Sequence, residues 1–143
     1  MQATPPPDPP SEILPLLYMG RHQEPGTLEG FDVIIGVSKQ RPIYPIDHPK
    51  AIVVFIPLLD DGPPSPEERV LARRAAALVN KHLADLKRVF VSCTMGLNRS
   101  GWVVALALRA QGLSGKEAIA LLRQRRSLQI LTNEFFERDV LRD

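Results

Sequence analysis

Residues 89–101 read Val89-Phe90-Val91-Ser92-Cys93-Thr94-Met95-Gly96-Leu97-Asn98-Arg99-Ser100-Gly101. The β-branched and aromatic start of this segment predicts a short buried strand. The apolar run that follows it, from Trp102 to Ala110, predicts a helix that is closed by Gly112. Residues 93–98 therefore form a loop that leads directly from the end of a strand into a helix.

A loop in this position can bind an anion. Its backbone N–H groups point inward, and the helix dipole adds partial positive charge at the same place. Cys93 and Arg99 stand at the two ends of the loop, with five residues between them. The field at a helix start favours a thiolate at Cys93, and the planar guanidinium of Arg99 suits two oxygens of a phosphate group. Gly96 lets the loop backbone approach a ligand closely.

The flanking sequence predicts a sheet covered by helices. Residues 13–20 are expected to form an edge strand, because Pro15 could not donate a hydrogen bond within a central one. The apolar runs 32–37 and 51–56 lack polar alternation, which is typical of strands at the centre of a sheet. We expect an α/β fold with a mostly parallel sheet of about four or five strands and helices on both faces. The capped stretches that predict the other helices cover residues 65–87, 114–126 and 132–140, with Ser65, Ser114 and Thr132 as the caps.

Length and composition predict one compact domain. The chain has 143 residues, of which 44% are hydrophobic and 24% charged, and no stretch is apolar enough to cross a membrane. All 14 prolines lie between Pro5 and Pro66. Residues 1–12 are polar and rich in proline, unlike a signal peptide, and we expect a flexible tail there, followed by a single domain over residues 13–143.

The distribution of charge favours a small anionic ligand. Fourteen of the 18 Lys and Arg residues follow Asp61, whereas only 6% of all residues are aromatic, which argues against a nucleic-acid surface. The single cysteine, Cys93, excludes an intrachain disulfide and a Cys-rich zinc site, and we therefore expect a cytoplasmic protein. The histidines have no metal-ligand spacing; they are His22, His48 and His82.

The loop and its flanks resemble a known enzyme family. Cysteine, five residues, arginine and then serine or threonine is the signature of the cysteine-dependent protein tyrosine phosphatase superfamily. The chain supplies this signature with Cys93, Arg99 and Ser100, and its small size resembles the dual-specificity branch. Weaker matches over most of residues 13–140 are the strand 17–20, the acid-loop segment 56–62, and the pair Asn133 and Phe136.

The resemblance implies a phosphatase that works in two steps through a cysteinyl-phosphate, without a metal or another cofactor. Cys93 would be the nucleophile, Arg99 would hold phosphate oxygens, and Ser100 would assist departure of the thiolate in the second step. Its substrates would be phosphotyrosine and, because no long insertion builds a deep pocket, phosphoserine and phosphothreonine on proteins, or a small phosphomonoester. The N–H groups that would share the phosphate belong to Thr94, Met95, Gly96, Leu97, Asn98 and Arg99.

The resemblance also implies a carboxylic acid that gives a proton to the leaving oxygen. Asp60 and Asp61 are the candidates. Asp61 is followed by Gly62 and two prolines, whereas Asp60 lies three residues after Pro57, and both arrangements occur in the family. We favour Asp61, with the other aspartate orienting the loop or facing solvent.

The chain departs from the family at one position, where Ser92 replaces the usual histidine before the cysteine. A catalytically weak, phosphate-binding pseudophosphatase is therefore an alternative. Another alternative is a phosphatase for a phosphoinositide or an RNA 5′ phosphate, for which a basic loop rim is expected, yet residues 94–98 contain no lysine or arginine. The remaining cluster of arginines is expected either at a solvated helix end or as an attraction for acidic substrates: Arg123, Arg125 and Arg126.

Overall fold

The structure is a computed structural model that describes residues 8–142. Asp143 and the first seven residues of the predicted tail lie outside the described part. The strands are Ser11–Leu14 (β1), Leu17–Arg21 (β2), Val33–Ser38 (β3), Ile52–Leu58 (β4) and Val89–Cys93 (β5). The helices are Pro66–Ala84 (α1), Arg99–Ala110 (α2), Gly115–Arg125 (α3) and Glu134–Leu141 (α4). None of these helices is long and apolar enough to cross a bilayer.

Strand β5 lies at the centre of the sheet, in the order β1-β2-β5-β3-β4. It pairs in parallel with both β2 and β3, and β3 also pairs in parallel with β4. Strand β1 runs antiparallel to β2. The predicted α/β class with a mostly parallel sheet is confirmed. Because parallel strands end at the same edge, the loop that follows Cys93 lies beside the carboxyl ends of β2 and β3.

The helices pack on one face of this sheet. Ile35 and Val91 point to that face and belong to the larger core, which contains residues of α1, α2, α3 and α4. Their neighbours Ile34 and Phe90 point to the other face. Within residues 8–142 no α-helix covers this second face, so the expectation of helices on both faces is not met. Glycines and prolines keep the segments after β2 and β3 irregular except for one 3₁₀ turn at Pro45–Asp47. The loop side chains that cover this second face are Leu28, Phe31 and Ile43.

The N-terminal strand prediction is wrong in its detail. Residues 13–20 do not form one edge strand but belong to the β1–β2 hairpin, which turns at Pro15 and Leu16, where the φ of Leu16 is +73°. Strand β1 also begins at Ser11, inside the predicted tail, because residues 11 and 12 already pair with β2. Proline is thus accommodated by a turn, and β2 occupies an inner position of the sheet.

Strand β4 is an edge strand, whereas its apolar sequence predicts a central one. Ile52 is 50% exposed and Phe55 is 37% exposed. Helix α1 packs against β4. The apolar run therefore reflects partial burial under α1 together with the β propensity of Ile and Val.

The helix starts follow the predicted caps in two cases and differ in the third. Ser65 and Ser114 each form a capping box with the glutamate three residues later. Helix α1 ends at Ala84 rather than at residue 87. The last helix is capped by Asn133 and not by Thr132, since Asn133 Oδ1 accepts hydrogen bonds from the N–H groups of residues 135 and 136.

Candidate active site

Cys93 is the last residue of β5 and is 2% exposed. Residues 94–98 turn the chain into α2, which begins at Arg99. The Sγ atom of Cys93 lies 3.2 Å from Oγ of Ser100 in the first turn of α2. The hydroxyl of Ser100 can therefore donate a hydrogen bond to a Cys93 thiolate. The structure thus brings the three signature side chains together around one loop.

The carbonyl groups of residues 94–97 all accept hydrogen bonds from outside the loop. The donors come from the end of β2, from the end of α3 and from the segment before α4. The pairs are His22 N to Thr94 O (3.4 Å), Arg126 Nη2 to Met95 O (3.1 Å), Arg126 Nε to Gly96 O (2.6 Å) and Leu131 N to Leu97 O (3.2 Å).

These contacts fix the direction of the loop N–H groups. In a trans peptide, a carbonyl and the N–H group of the next residue point in opposite directions, and residues 8–142 contain no cis peptide. The N–H groups of residues 95–98 therefore point away from the donors that hold the carbonyls. Within residues 8–142 none of these four N–H groups donates a hydrogen bond of its own. The loop consequently offers a set of free donors at the start of α2, which suits a tetrahedral oxyanion.

Gly96 is required by the packing of the loop. Its φ is +69°, a region that favours glycine. A Cβ atom here would overlap backbone atoms of Gly20 and Arg21 at the end of β2. The sequence assigned Gly96 to close approach of a ligand, and the structure adds close approach of the neighbouring strand.

Arg99 is held in a defined orientation at the mouth of the loop, where it is 7% exposed. Its Nη2 donates to Thr94 Oγ1 (3.0 Å), and its Nη1 donates to the carbonyl of Leu58 (3.3 Å) and to Gln40 Oε1. Thr94 Oγ1 in turn lies 2.7 Å from Ser38 Oγ. In the described chain the buried Nε of Arg99 has no partner. Three of the five N–H groups of the guanidinium are thus used, and two, the one on Nε and the second one on Nη2, are left for ligand oxygens.

Both candidate acids lie in the segment between β4 and α1, and both are exposed. The carboxylate of Asp60 accepts from Asn98 Nδ2 (2.9 Å) and from Asn133 Nδ2 (2.7 Å). Asp61 makes no hydrogen bond or ion pair with the rest of residues 8–142. Asp60 therefore ties its segment to the loop and to α4, while the carboxyl of Asp61 is free. A cleft of about 280 Å³ is lined by Gln40, Leu59, Asp60, Asp61, Thr94 and Arg99.

A second cavity, of about 270 Å³, lies away from this cleft. Phe31 and Ala51, which contribute to its lining, precede β3 and β4. The cavity is therefore at the amino ends of the strands, opposite the edge that carries Cys93. Of these two cavities, the cleft beside Arg99 is the one lined by candidate catalytic side chains.

Several residues of the site were not predicted from the sequence. Ser38 is the last residue of β3 and Gln40 lies two residues after it, and the rule that parallel strands end together could have pointed to both. The Arg126 side chain was expected either on a solvated helix end or as an attraction for acidic substrates, yet it is only 3% exposed. No local pattern distinguishes Arg126 from its exposed neighbour Arg125.

Comparison with solved structures shows the same fold in proteins of low sequence identity. Human DUSP28 has a TM-score of 0.80 at 23% identity, over 96% of this chain and 94% of that one. Tk-PTP in its active form has a TM-score of 0.75 at 25% identity, over 93% of each chain. A mouse protein assigned to the dual specificity phosphatases, solved with zinc tungstate, has a TM-score of 0.81 at 21% identity, over 98% of this chain and 89% of that one. No curated protein sequence matches the chain.

A family model covers nearly the whole domain. The model for the dual specificity phosphatase catalytic domain matches residues 18–142, a range that contains every side chain of the cleft. The match extends from β2 to the residue after α4. The chain therefore belongs to the dual specificity phosphatase family and is a cysteine-based phosphatase.

Proposed function

We propose that the chain hydrolyses phosphomonoesters on protein side chains, phosphotyrosine and also phosphoserine and phosphothreonine, with Cys93 as the nucleophile. The observation that carries the proposal is the set of free N–H groups at residues 95–98, next to Cys93 and Arg99. Donors that are already oriented need no rearrangement when negative charge develops on the phosphoryl oxygens. No metal or other cofactor is part of this proposal.

The first step forms a bond between Cys93 Sγ and phosphorus while the bond from phosphorus to the leaving oxygen breaks. Arg99 and the loop N–H groups hold the three equatorial oxygens, and a carboxylic acid gives its proton to the leaving oxygen. In the second step water attacks phosphorus, the same carboxylate accepts the proton of the water, and the bond to sulfur breaks. The Ser100 hydroxyl, 3.2 Å from Sγ, stabilises the departing thiolate.

We assign the proton transfers to Asp61 and a positioning role to Asp60. The two carboxylate oxygens of Asp60 are occupied by the amides of Asn98 and Asn133. A carboxylate held in this way anchors the acid segment to the loop. Asp61 also lines the cleft, and its carboxyl is free to face a leaving group.

The cleft supports protein side chains as substrates. It is small and open, so phosphate groups on short and on long side chains can reach the loop. Met95 at the rim is 55% exposed, and residues 94–98 carry no basic side chain, which disfavours a phosphoinositide or an RNA 5′ phosphate. Because Cys93 must remain a reduced thiol, we also propose a reducing compartment such as the cytoplasm.

The decisive experiment compares the native chain with Cys93→Ser on a small aryl phosphate. We expect turnover that vanadate inhibits in the native chain and none in Cys93→Ser, because a serine hydroxyl is a much weaker nucleophile than a cysteine thiolate. Tungstate binding without vanadate-sensitive turnover by the native chain would instead support the pseudophosphatase that Ser92 suggests.

The acid assignment is tested by Asp61→Asn and, as its matched control, Asp60→Asn. On an aryl phosphate with a poor leaving group, Asp61→Asn should lower kcat by about 10²-fold or more. On one with a good leaving group the loss should be much smaller, because little protonation is needed. Asp60→Asn should affect both substrates alike, and the reverse pattern would make Asp60 the acid.

A further inference from the structure

Arg126 lies at the end of α3 and is buried against the back of the loop. Its side chain is 3% exposed, although arginine at a helix end normally extends into solvent. Arg125 next to it is exposed. Burial of a guanidinium is unfavourable unless each of its N–H groups finds an acceptor.

Every nitrogen of the Arg126 guanidinium donates. Nε and Nη2 donate to the carbonyls of Gly96 and Met95. Nη1 donates to Asp8 Oδ1 (3.0 Å) and Ser11 Oγ (3.1 Å), and Nη2 also donates to Asp8 Oδ2 (2.8 Å). The five contacts match the five N–H groups that arginine carries. Asp8 and Ser11 therefore hold the Arg126 side chain in place, and Arg126 in turn holds the loop carbonyls.

The two loop carbonyls are those whose peptide groups carry the N–H groups of Gly96 and Leu97. Holding the carbonyls toward Arg126 turns these N–H groups in the opposite direction, away from Arg126. Glycine adopts a φ of +69°, as at Gly96, as readily as negative values, so the backbone preference of Gly96 alone does not impose this orientation. Arg126 thus controls two of the four free donors of the loop.

Asp8 supplies the negative charge that Arg126 needs. Both of its carboxylate oxygens accept from the guanidinium, a bidentate arrangement. Its backbone carbonyl accepts from Gln23 Nε2 (3.1 Å), which attaches residue 8 to the segment after β2. The side chain of Asp8 is 44% exposed, so solvent weakens the ion pair without removing its geometry.

We propose that Asp8 and Arg126 are a positioning pair for the phosphate-binding loop, through which residue 8, ahead of β1, contributes to oxyanion affinity and to turnover. The inference rests on the proposed function of the loop. Neither residue contacts the phosphoryl group, since both act through the carbonyls of Met95 and Gly96.

The test measures tungstate affinity and steady-state kinetics for Asp8→Asn, Arg126→Lys and Arg126→Gln, with Arg125→Gln as the exposed control. Asp8→Asn should weaken tungstate binding about two- to fivefold, as expected for a partly exposed ion pair. Arg126→Lys should weaken it about tenfold, because an ammonium cannot hold both carbonyls and Asp8 together. Arg126→Gln should weaken it further, and Arg125→Gln should stay within about twofold of the native chain.

A purely structural role is separated by thermal unfolding and by a double-mutant cycle. All affinities are measured well below the melting temperature of each variant, where the protein is folded. The effects of Asp8→Asn and Arg126→Lys should not add in the double variant, because the two side chains act as one unit. If Arg126→Gln fails to fold, the other two single variants and their combination carry the test.

The proposal is overturned if Asp8→Asn and Arg126→Lys bind tungstate like the native chain, or if their effects add fully. Tungstate binding is also measured in a Cys93→Ser background, where no turnover is involved. A native chain without turnover would contradict the proposed function, while the same variants would still decide the role of the pair.

Discussion

His22 combines a backbone contact to the loop with a buried ring nitrogen. Its N–H donates to the carbonyl of Thr94, and its Nδ1 atom is buried without a partner in the described chain. Burial lowers the pKa of His22 below its ordinary value, and repulsion from Arg41 lowers it further. Protonation of His22 is therefore less favourable in the folded protein than in the unfolded chain.

The lowered pKa of His22 predicts that acid destabilises the folded protein. Above the ordinary pKa of 6.5 neither state carries the proton, so His22 contributes nothing. As the pH falls below that value the unfolded chain binds a proton that the folded protein does not, and the free energy of unfolding decreases. We expect His22→Gln to flatten the pH dependence of the melting temperature between about pH 7 and pH 5. Parallel curves for the two proteins would contradict this assignment.

At this scale the sequence predicts what is close along the chain. The signature residues are recognisable because they lie within eight positions of one another and their spacing defines the chemistry; they are Cys93, Arg99 and Ser100. Gln40 and Arg126 are not recognisable in this way, since each reaches the loop only after distant segments have packed together. The choice between Asp60 and Asp61 likewise depends on Asn133, which is far from both in sequence.

Three helices meet at the carboxylate of Asp139, which is 2% exposed. Asp139 lies in α4 and accepts from Trp102 Nε1 of α2 at 2.8 Å. It also accepts two hydrogen bonds from Arg73 of α1, at 3.1 and 3.2 Å. The ring of Trp102 stacks on Phe136, with 4.2 Å between ring centroids. Since α2 begins at Arg99, this junction fixes the helix that carries the site.

Removal of the Asp139 carboxylate should therefore destabilise the fold. Asp139→Ala leaves the buried indole N–H without an acceptor, whereas Arg73, which is 48% exposed, can turn to solvent. We expect a loss of about 2–3 kcal/mol in the free energy of unfolding, measured with denaturant. Glu134→Ala, in the same helix but 63% exposed, is the control and should cost less than about 0.5 kcal/mol. Equal losses in the two variants would contradict the junction.

Helix starts that depend on neighbouring residues could be predicted from the sequence. The arrangement of the strands and helices could be predicted only in part. The two capping boxes at Ser65 and Ser114 form as expected because all their partners lie within four residues. The position of β4 at the sheet edge and the absence of helices from one face in the described chain depend on long-range packing. An apolar run has the same sequence whether one or both of its faces are covered.

At the scale of the whole molecule, the candidate site joins segments from both ends of the chain. The loop after β5 is held by Arg126 and, through it, by Asp8. Gln40 after β3 and Asp60 after β4 complete the surroundings. An oxyanion bound at the centre would contact the loop N–H groups and Arg99. These contacts exist only in the folded protein, because the unfolded chain does not assemble the loop. Binding should therefore be linked to global stability.

We accordingly expect tungstate to raise the melting temperature of the native chain. At a concentration about 100 times its Kd, a ligand that binds only the folded state adds about 2.7 kcal/mol, which for a domain of this size corresponds to roughly 5–10 °C. Cys93→Ser should keep most of this shift, because the loop N–H groups and Arg99 remain. Arg99→Met should lose most of it, since it removes the guanidinium while preserving much of the side-chain volume. A shift of the same size in Arg99→Met would mean that tungstate acts as a general stabilising salt, and that the loop is not the site where it binds.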